Sequence, residues 1–193
     1  MYDLFFQHFN KVVALTAEEE ELIRPYLRLK KLRKKQYFLQ EGDVCQSGAF
    51  VTKGLLRLYY VDERNDENII QFTPEGWSVT DMYSFLTGEP SVYNIDALED
   101  SELILIDRAA HEEMTLKFRK YETYARLQIT RAYIALQRRL TSMISLNTEQ
   151  RYEEFSKRYP SIVQRVPQHM IASYMGLTAE TLSRVRNKIT HKK

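Results

Sequence analysis

The chain has 193 residues, 44% hydrophobic, 12% aromatic and 28% charged. That composition excludes a disordered, collagen-like or low-complexity polymer and gives one large domain or two small ones a core to bury. Basic residues exceed acidic ones by only two, but unevenly: residues 1–150 hold 19 Lys and Arg against 23 Asp and Glu, and residues 151–193 hold 9 against 3. A small basic C-terminal module therefore follows a larger, mildly acidic one, the charge distribution expected of a polyanion binder. The single cysteine, Cys45, excludes an internal disulfide, an all-cysteine zinc site and a cysteine-ligated iron–sulfur cluster. No apolar run nears the ~20 residues of a membrane span and no signal-peptide core opens the chain, so a reduced, cytoplasmic protein without a membrane partner is expected.

Thr16-Ala-Glu-Glu19 reads as a capping box opening a helix that Pro25 ends. Five of the six glycines then fall between Gly42 and Gly88. They separate β-branched and aromatic runs at 36–40, 49–52, 55–61 and 68–72, and two further runs follow at 93–98 and 102–107. Short strands with turn signals predict an antiparallel sandwich or jelly roll. Leu56, Leu58 and Tyr60 alternate with Arg57 and Tyr59, the period of a strand buried on one face. Asp62, Glu63, Asn65, Asp66 and Glu67 read as a solvated hairpin turn.

From about residue 112 the period becomes helical. Ile129, Leu136 and Met143 recur every seven residues, with Ala132, Tyr133, Leu140 and Ile144 on the same side. A helix over 120–146 would run roughly 40 Å. A heptad seam on so long a helix points to a partner helix, so this is read as the dimerisation helix. Arg126, Arg131, Arg138 and Arg139 are expected on the opposite, solvated face.

The segment from Gln168 to Asn187 fits a helix–turn–helix. Ala172 is small where two helices must approach, Gly176 supplies the left-handed turn, and Ile171, Met175, Leu177, Leu182 and Val185 supply the apolar contacts. Thr178 can cap the second helix, and Pro167 suits the start of the first. On the second helix Glu180 and Arg184 share a face with Ser183. An arginine fork matches guanine O6 and N7, and a glutamate can accept from cytosine N4. Ala179, Glu180, Ser183 and Arg184 are accordingly read as base contacts. Gln168, His169, Thr178, Thr181, Arg186 and Lys188, with the tail Lys192–Lys193, are read as phosphate contacts.

The order of these parts resembles the Crp/Fnr superfamily of cyclic-AMP-receptor-type regulators. The resemblance rests on Gly42-Asp43, Phe50-Val-Thr-Lys-Gly54, the long helix and, most specifically, Thr178-Ala-Glu-Thr-Leu-Ser-Arg184. It implies an α+β chain with an N-terminal jelly-roll β-barrel (1–110), a long dimerisation helix (111–146) and a C-terminal helix-turn-helix domain (147–193). It further implies a homodimer that reads palindromic double-stranded DNA through a recognition helix near 178–189. RNA polymerase and an unidentified small-molecule effector stand as further candidate partners. Where cyclic-AMP-binding relatives carry Gly-Glu and Arg-Ser or Arg-Thr, this chain carries Thr80-Asp81 and Ser91-Val92. A phosphate buried without its arginine lacks its bidentate partner, which argues against cyclic AMP held in the usual mode.

Ala179 stands where the cyclic-AMP receptor has arginine, so a different bound sequence is expected. Only 190–193 follow the recognition helix, too few for the usual β-hairpin wing. Thr80, Asp81, Ser91, Val92 and Tyr93 mark a candidate effector pocket, to which Trp77, Tyr83 and Phe85 could add aromatic lining unless they are simply core. A haem could be held through His8 or His111, but lone histidines are more often surface residues, and no cofactor or metal is expected. A cupin-like enzyme would need histidines inside the barrel, but none lies between residues 9 and 110. The remaining alternative is a ligand-binding or protein-interaction module whose helix–turn–helix does not touch DNA.

Overall fold

The computed structural model describes residues 2–190; Lys192 and Lys193 lie outside them. The helices are α1 (Asp3–Asn10), α2 (Ala17–Ile23), α3 (Met82–Thr87), α4 (Arg108–Lys117), α5 (Arg119–Ser145), α6 (Thr148–Arg158), α7 (Pro160–Arg165), α8 (Gln168–Tyr174) and α9 (Ala179–Thr190). The strands are β1 (Arg28–Leu32), β2 (Tyr37–Leu39), β3 (Ser47–Lys53), β4 (Leu56–Val61), β5 (Glu67–Thr73), β6 (Ser78–Val79), β7 (Asn94–Ala97) and β8 (Ser101–Asp107). They pair antiparallel in two sheets, β1-β8-β3-β6 and β2-β7-β4-β5. Six strands coincide with the expected runs. β1 carries no strand signal because three of its five residues are charged, and β6 is only two residues long.

Alternation along the strands builds three cores. Ala49 and Val51 of β3, Leu56 and Leu58 of β4, and Leu103 and Leu105 of β8 pack between the sheets with Leu32, Leu39, Val79, Phe85 and Ile95. The alternate residues Phe50 and Ile104 face outward and pack on Phe5 and Phe9 of α1, Met114 of α4, and Tyr121 and Tyr124 of α5. On the other sheet Leu55, Tyr59, Ile69 and Phe72 face outward into the C-terminal helices. This corrects the expectation that β4 is buried on one face. Tyr59 is buried in a core shared with helices remote in sequence and Arg57 against Asp96 and the Tyr59 ring, while Tyr60 is exposed near the hairpin end, past a bulge after Leu58.

The capping box at Thr16 forms as expected: Thr16 Oγ1 accepts from Glu19 N at 3.2 Å, and Glu19 Oε2 accepts from Thr16 N at 2.8 Å. α2 then tightens into a 3-10 turn at Arg24–Tyr26, with Pro25 in its first turn. Gly54, φ +93°, joins β3 to β4, where a Cβ would lie 2.2 Å from Ser101 Oγ and 2.7 Å from the Asp100 carbonyl oxygen, so the position admits only glycine.

The helical stretch after the barrel opens at Arg108, earlier than expected, and breaks at the extended Phe118 before α5 begins. Here His8 and His111 depart from the surface reading. Both are half-buried, with His8 Nδ1 3.2 Å from the Tyr124 hydroxyl and His111 Nδ1 2.8 Å from the Tyr121 hydroxyl. Burial pushes both imidazoles below their ordinary 6.5; Arg131 and Lys11 lower His8 further, and Glu112 partly opposes the shift at His111. The unfolded chain then takes up protons before the folded one, so this contribution to stability is complete above the unfolded pKa and is lost as pH falls below it. The thermal midpoint is expected to drop between about pH 7 and about pH 5, with a flatter profile in the His8→Gln, His111→Gln double variant. Identical profiles would show that these rings do not carry the effect.

The C-terminal helices are tied to the barrel by polar contacts as well as by their core. Ser173 Oγ donates to the Glu67 carbonyl at 2.6 Å and accepts from Ile69 N at 3.0 Å, covering the free edge of β5. Arg165 of α7 spans Glu75 and Glu99 with bonds of 2.6–3.0 Å. Arg139 was expected on the solvated face of α5. It instead donates to the carbonyls of Ile70 and Tyr174, both at 2.7 Å, and its guanidinium stacks 4.0 Å over the Tyr174 ring.

Candidate nucleic-acid interface

α8 and α9 are set against each other by a turn whose chemistry is local. Gly176 takes φ +66°, which costs a residue with a Cβ about 1–2 kcal/mol. Gly176 N donates to the Ser173 carbonyl and Leu177 N to the Ala172 carbonyl, both at 2.9 Å, closing the end of α8. Ile171, Ala172, Met175, Leu182 and Val185 are buried and fix the pair, and Leu177 packs at its margin. Thr178 Oγ1 accepts from Thr181 N at 3.2 Å, the cap expected for α9. Pro167 sits at the N-cap of α8, one residue before its first turn.

With Leu182 and Val185 turned inward, α9 exposes Ala179, Glu180, Ser183, Arg184, Arg186, Asn187 and Lys188. The four residues read as base contacts thus lie on one open face. Glu180 is held in its ionised form: its carboxyl is pushed below its ordinary value by its own backbone N–H, then by the Thr178 hydroxyl and the charge of Arg184. The residues read as phosphate contacts divide. His169 and Arg186 are exposed. Thr178 and Thr181 are engaged with each other at the helix cap, their hydroxyls 3.1 Å apart. Lys188 is paired with Glu149 of α6 at 2.5 Å and must leave that partner to meet a phosphate. Gln168 is half-buried, and its Oε1 has no partner among the described residues.

The candidate effector residues form a self-satisfied cluster rather than an open pocket. Asp81 is the N-cap of α3, accepting from Tyr83 N and Ser84 N at 3.1 and 3.3 Å, and its other oxygen accepts from the Ser91 hydroxyl at 2.7 Å. Tyr93 N donates back to Ser91 Oγ at 3.0 Å, and Thr80 Oγ1 lies 3.4 Å from Cys45 Sγ. Val92 is 63% exposed, so it does not line this cluster. Of the aromatic residues, Phe85 is barrel core with Tyr93 packed against it. Trp77 lies edge-on to Tyr159 outside the barrel, and Tyr83 is exposed. The expected lining is corrected accordingly, because the polar groups that could meet a ligand are spent on capping a helix the sequence did not announce.

Among the described residues, the α5 seam has no partner helix packed on it. Residues 129–138 are exposed on every side of the helix. Ile129, Tyr133, Leu136, Leu140 and Met143 keep between 48% and 61% of their surface in water. A groove of about 520 Å³ runs along the same helix, lined by Ile134, Arg138, Thr141, Ser142 and Leu146, with Glu154 of α6 opposite. No described helix is long and apolar enough to cross a membrane.

Residues 29–117 match the family model of the cyclic nucleotide-binding domain, and the chain as a whole shares its fold with the following solved structures. A transcriptional regulator of the Crp/Fnr family from Eubacterium rectale superposes with a TM-score of 0.70 at 14% identity, over 92% of this chain and 85% of that one. The catabolite activator protein of Thermus thermophilus superposes with a TM-score of 0.57 at 20% identity, over 96% and 87%. Among curated proteins, the neuropathy target esterase sws of Drosophila yakuba is 32% identical over 111 residues, 52% of this chain but only 7% of the esterase.

Proposed function

We propose that the protein is a non-enzymatic, homodimeric, sequence-specific DNA-binding transcription regulator. Its parts would be a sensory barrel (1–110), a dimerisation helix (111–146) and a helix-turn-helix domain (147–193). The observation that carries the reading is the open Glu180–Arg184 face of α9, on a helix pair held by the Gly176 turn. Two such faces, related by a twofold axis through α5, would read the two halves of a palindrome. Ala179, Glu180, Ser183 and Arg184 would meet base edges, while His169, Thr181, Arg186 and Lys188 would meet phosphates, joined by Gln168 and Thr178 at the two helix N-termini. The Asp81–Ser91 bond occupies the place where relatives would hold a cyclic phosphate, which disfavours cyclic AMP as the effector.

Titration with duplexes selected from a random pool tests this reading. Arg184→Ala is expected to cost roughly 1–3 kcal/mol on the selected sequence and to relax preference at a G·C pair. Lys188→Ala is expected to weaken all duplexes alike and to lower the salt slope by about one at most, because Glu149 competes for the ammonium. Equal effects of both variants on all sequences would remove Arg184 from the base-reading role, and no duplex binding at low ionic strength would overturn the function.

A further inference from the structure

The first half of α5 carries a directed chain of hydrogen bonds that DNA reading does not require. Arg131 Nη1 donates to Gln128 Oε1 at 3.5 Å, Gln128 Nε2 donates to the Tyr124 hydroxyl at 3.2 Å, and that hydroxyl lies 3.2 Å from His8 Nδ1 on α1. The arginine has only protons to give, so it draws the amide oxygen toward itself and leaves the amide N–H for Tyr124. The tyrosine oxygen is thereby an acceptor, and its own proton is left to His8 Nδ1. The phenol is clamped in place: Tyr124 is 5% exposed, stacked on Phe9 at 4.1 Å and met edge-on by Phe5. Burial pushes its hydroxyl up to about 12, so it keeps its proton near neutral pH. Every group in the chain is satisfied only while His8 Nδ1 offers a lone pair.

A proton taken from water onto Nδ1 turns the last link into a conflict. The imidazolium N–H and the Gln128 amide then both point at one oxygen, and the Tyr124 proton is left without an acceptor in a buried site. The charges facing the ring are both positive, Lys11 on α1 and Arg131 on α5, while β3 presents the Phe50 ring. The last turn of α1 favours a cation, but half-burial and these two neighbours oppose one. His111 differs: the Tyr121 hydroxyl beside it has no second hydrogen-bond partner among the described residues, and Glu112 favours the charged ring. At its far end the chain reaches the seam, since Gln128 and Arg131 adjoin Ile129 and Ala132.

We infer that His8 is a proton switch on α5: its protonation reverses the bond with Tyr124, releases Gln128 and Arg131 beside the seam and loosens α1 from α5, so that self-association and duplex binding fall as pH drops. The switch rests on the dimeric, DNA-binding reading above and adds a regulator to it. The loosened arrangement binds more protons than the docked one, so it gains as pH falls below 6.5, the ordinary imidazole value.

The test uses the full chain at about pH 7.5 and about pH 5.5, at one ionic strength and at a temperature where it is folded at both. Sedimentation equilibrium without DNA and titration of a selected palindrome are each expected to show wild type about tenfold or more weaker at the lower pH. A histidine that gains charge against a phosphate, as the exposed His169 would, strengthens binding as pH falls, so the sign separates the two effects. His8→Gln cannot titrate, and its amide oxygen can take the Tyr124 proton; it is expected to behave at both pH values as wild type does at the higher. Arg131→Met lets the Gln128 amide turn over and accept from Tyr124, and is expected to shrink the response with His8 in place. His111→Gln is expected to keep the response, and its loss there would remove the role from His8. By nuclear magnetic resonance the His8 ring is expected to titrate below 6.5 in wild type and higher in Arg131→Met. Wild-type association and affinity that hold or rise at the lower pH, or a fall that His8→Gln shares in full, overturn the switch. Should His8→Gln not fold, an unchanged response and an unmoved ring titration in Arg131→Met overturn it as well. A wild type whose self-association shows the expected fall while no duplex binds at either pH keeps the switch and removes the DNA-binding reading. One that neither associates nor binds duplex at the higher pH removes both.

Discussion

Glutamate at both Leu136 and Leu140 is expected to leave a folded monomer whose affinity for a palindromic duplex is down about 10²–10⁴-fold, the factor that linking two binding modules supplies. Both side chains are more than half exposed in the isolated chain, so the substitutions remove no contact from its own core. In the proposed dimer they would face the partner helix, placing four carboxylates along an apolar seam where like charges meet without counterions. Helices gain most of their stability from packing an apolar face, and the stretch 129–138 has no such packing among the described residues. Sedimentation equilibrium and duplex titration measure the two effects, and an unchanged thermal midpoint at a concentration where wild type is monomeric would exclude misfolding. A variant that stays dimeric, or binds the palindrome as wild type does, would move the interface off this seam.

The features that were legible in the sequence are those encoded within a few residues. The Thr16 box, the Gly176 turn and the spacing of Ile171, Met175, Leu182 and Val185 state their geometry locally. Contacts between segments remote in sequence stayed illegible. Tyr59 looks solvated on an alternating strand until residues of α6–α9, about a hundred residues later, pack into the same core, and Arg57 until Asp96 and the Tyr59 ring enclose it. Arg139 looks like one more surface arginine until Ile70 and Tyr174 bring two carbonyls to it. Asp81 reads as part of an effector pocket in the sequence, but the six residues after it form α3, and the carboxylate is consumed as its cap.

The same remoteness predicts the largest effect on stability. Arg57 lies opposite Asp96 in the β4–β7 register, gripping it through two bonds of 2.8 and 2.9 Å, and it also pairs with Glu67 across β5. Its guanidinium lies 4.1 Å from the centre of the Tyr59 ring, and the side chains of Arg57 and Asp96 are each only 8% exposed. Burial alone would disfavour the charge, but the bonds from Asp96 and then Glu67 outweigh it and hold the guanidinium more basic than usual. Arg57→Met keeps much of the apolar volume and removes the charge, leaving Asp96 buried without a partner. The cost is expected to be about 3–5 kcal/mol, read as a fall in the urea midpoint at constant m. The double variant Arg57→Met, Asp96→Leu is expected to regain most of that loss, because a buried pair replaced by apolar groups sheds its desolvation penalty together with its attraction. Glu67, nearly half exposed, can turn to water and should add little to either result. A loss below about 1 kcal/mol in the single variant would mean that water reaches Asp96. A double variant no better than the single would mean that the pair's bidentate geometry, rather than the orphaned carboxylate, holds β4 to β7.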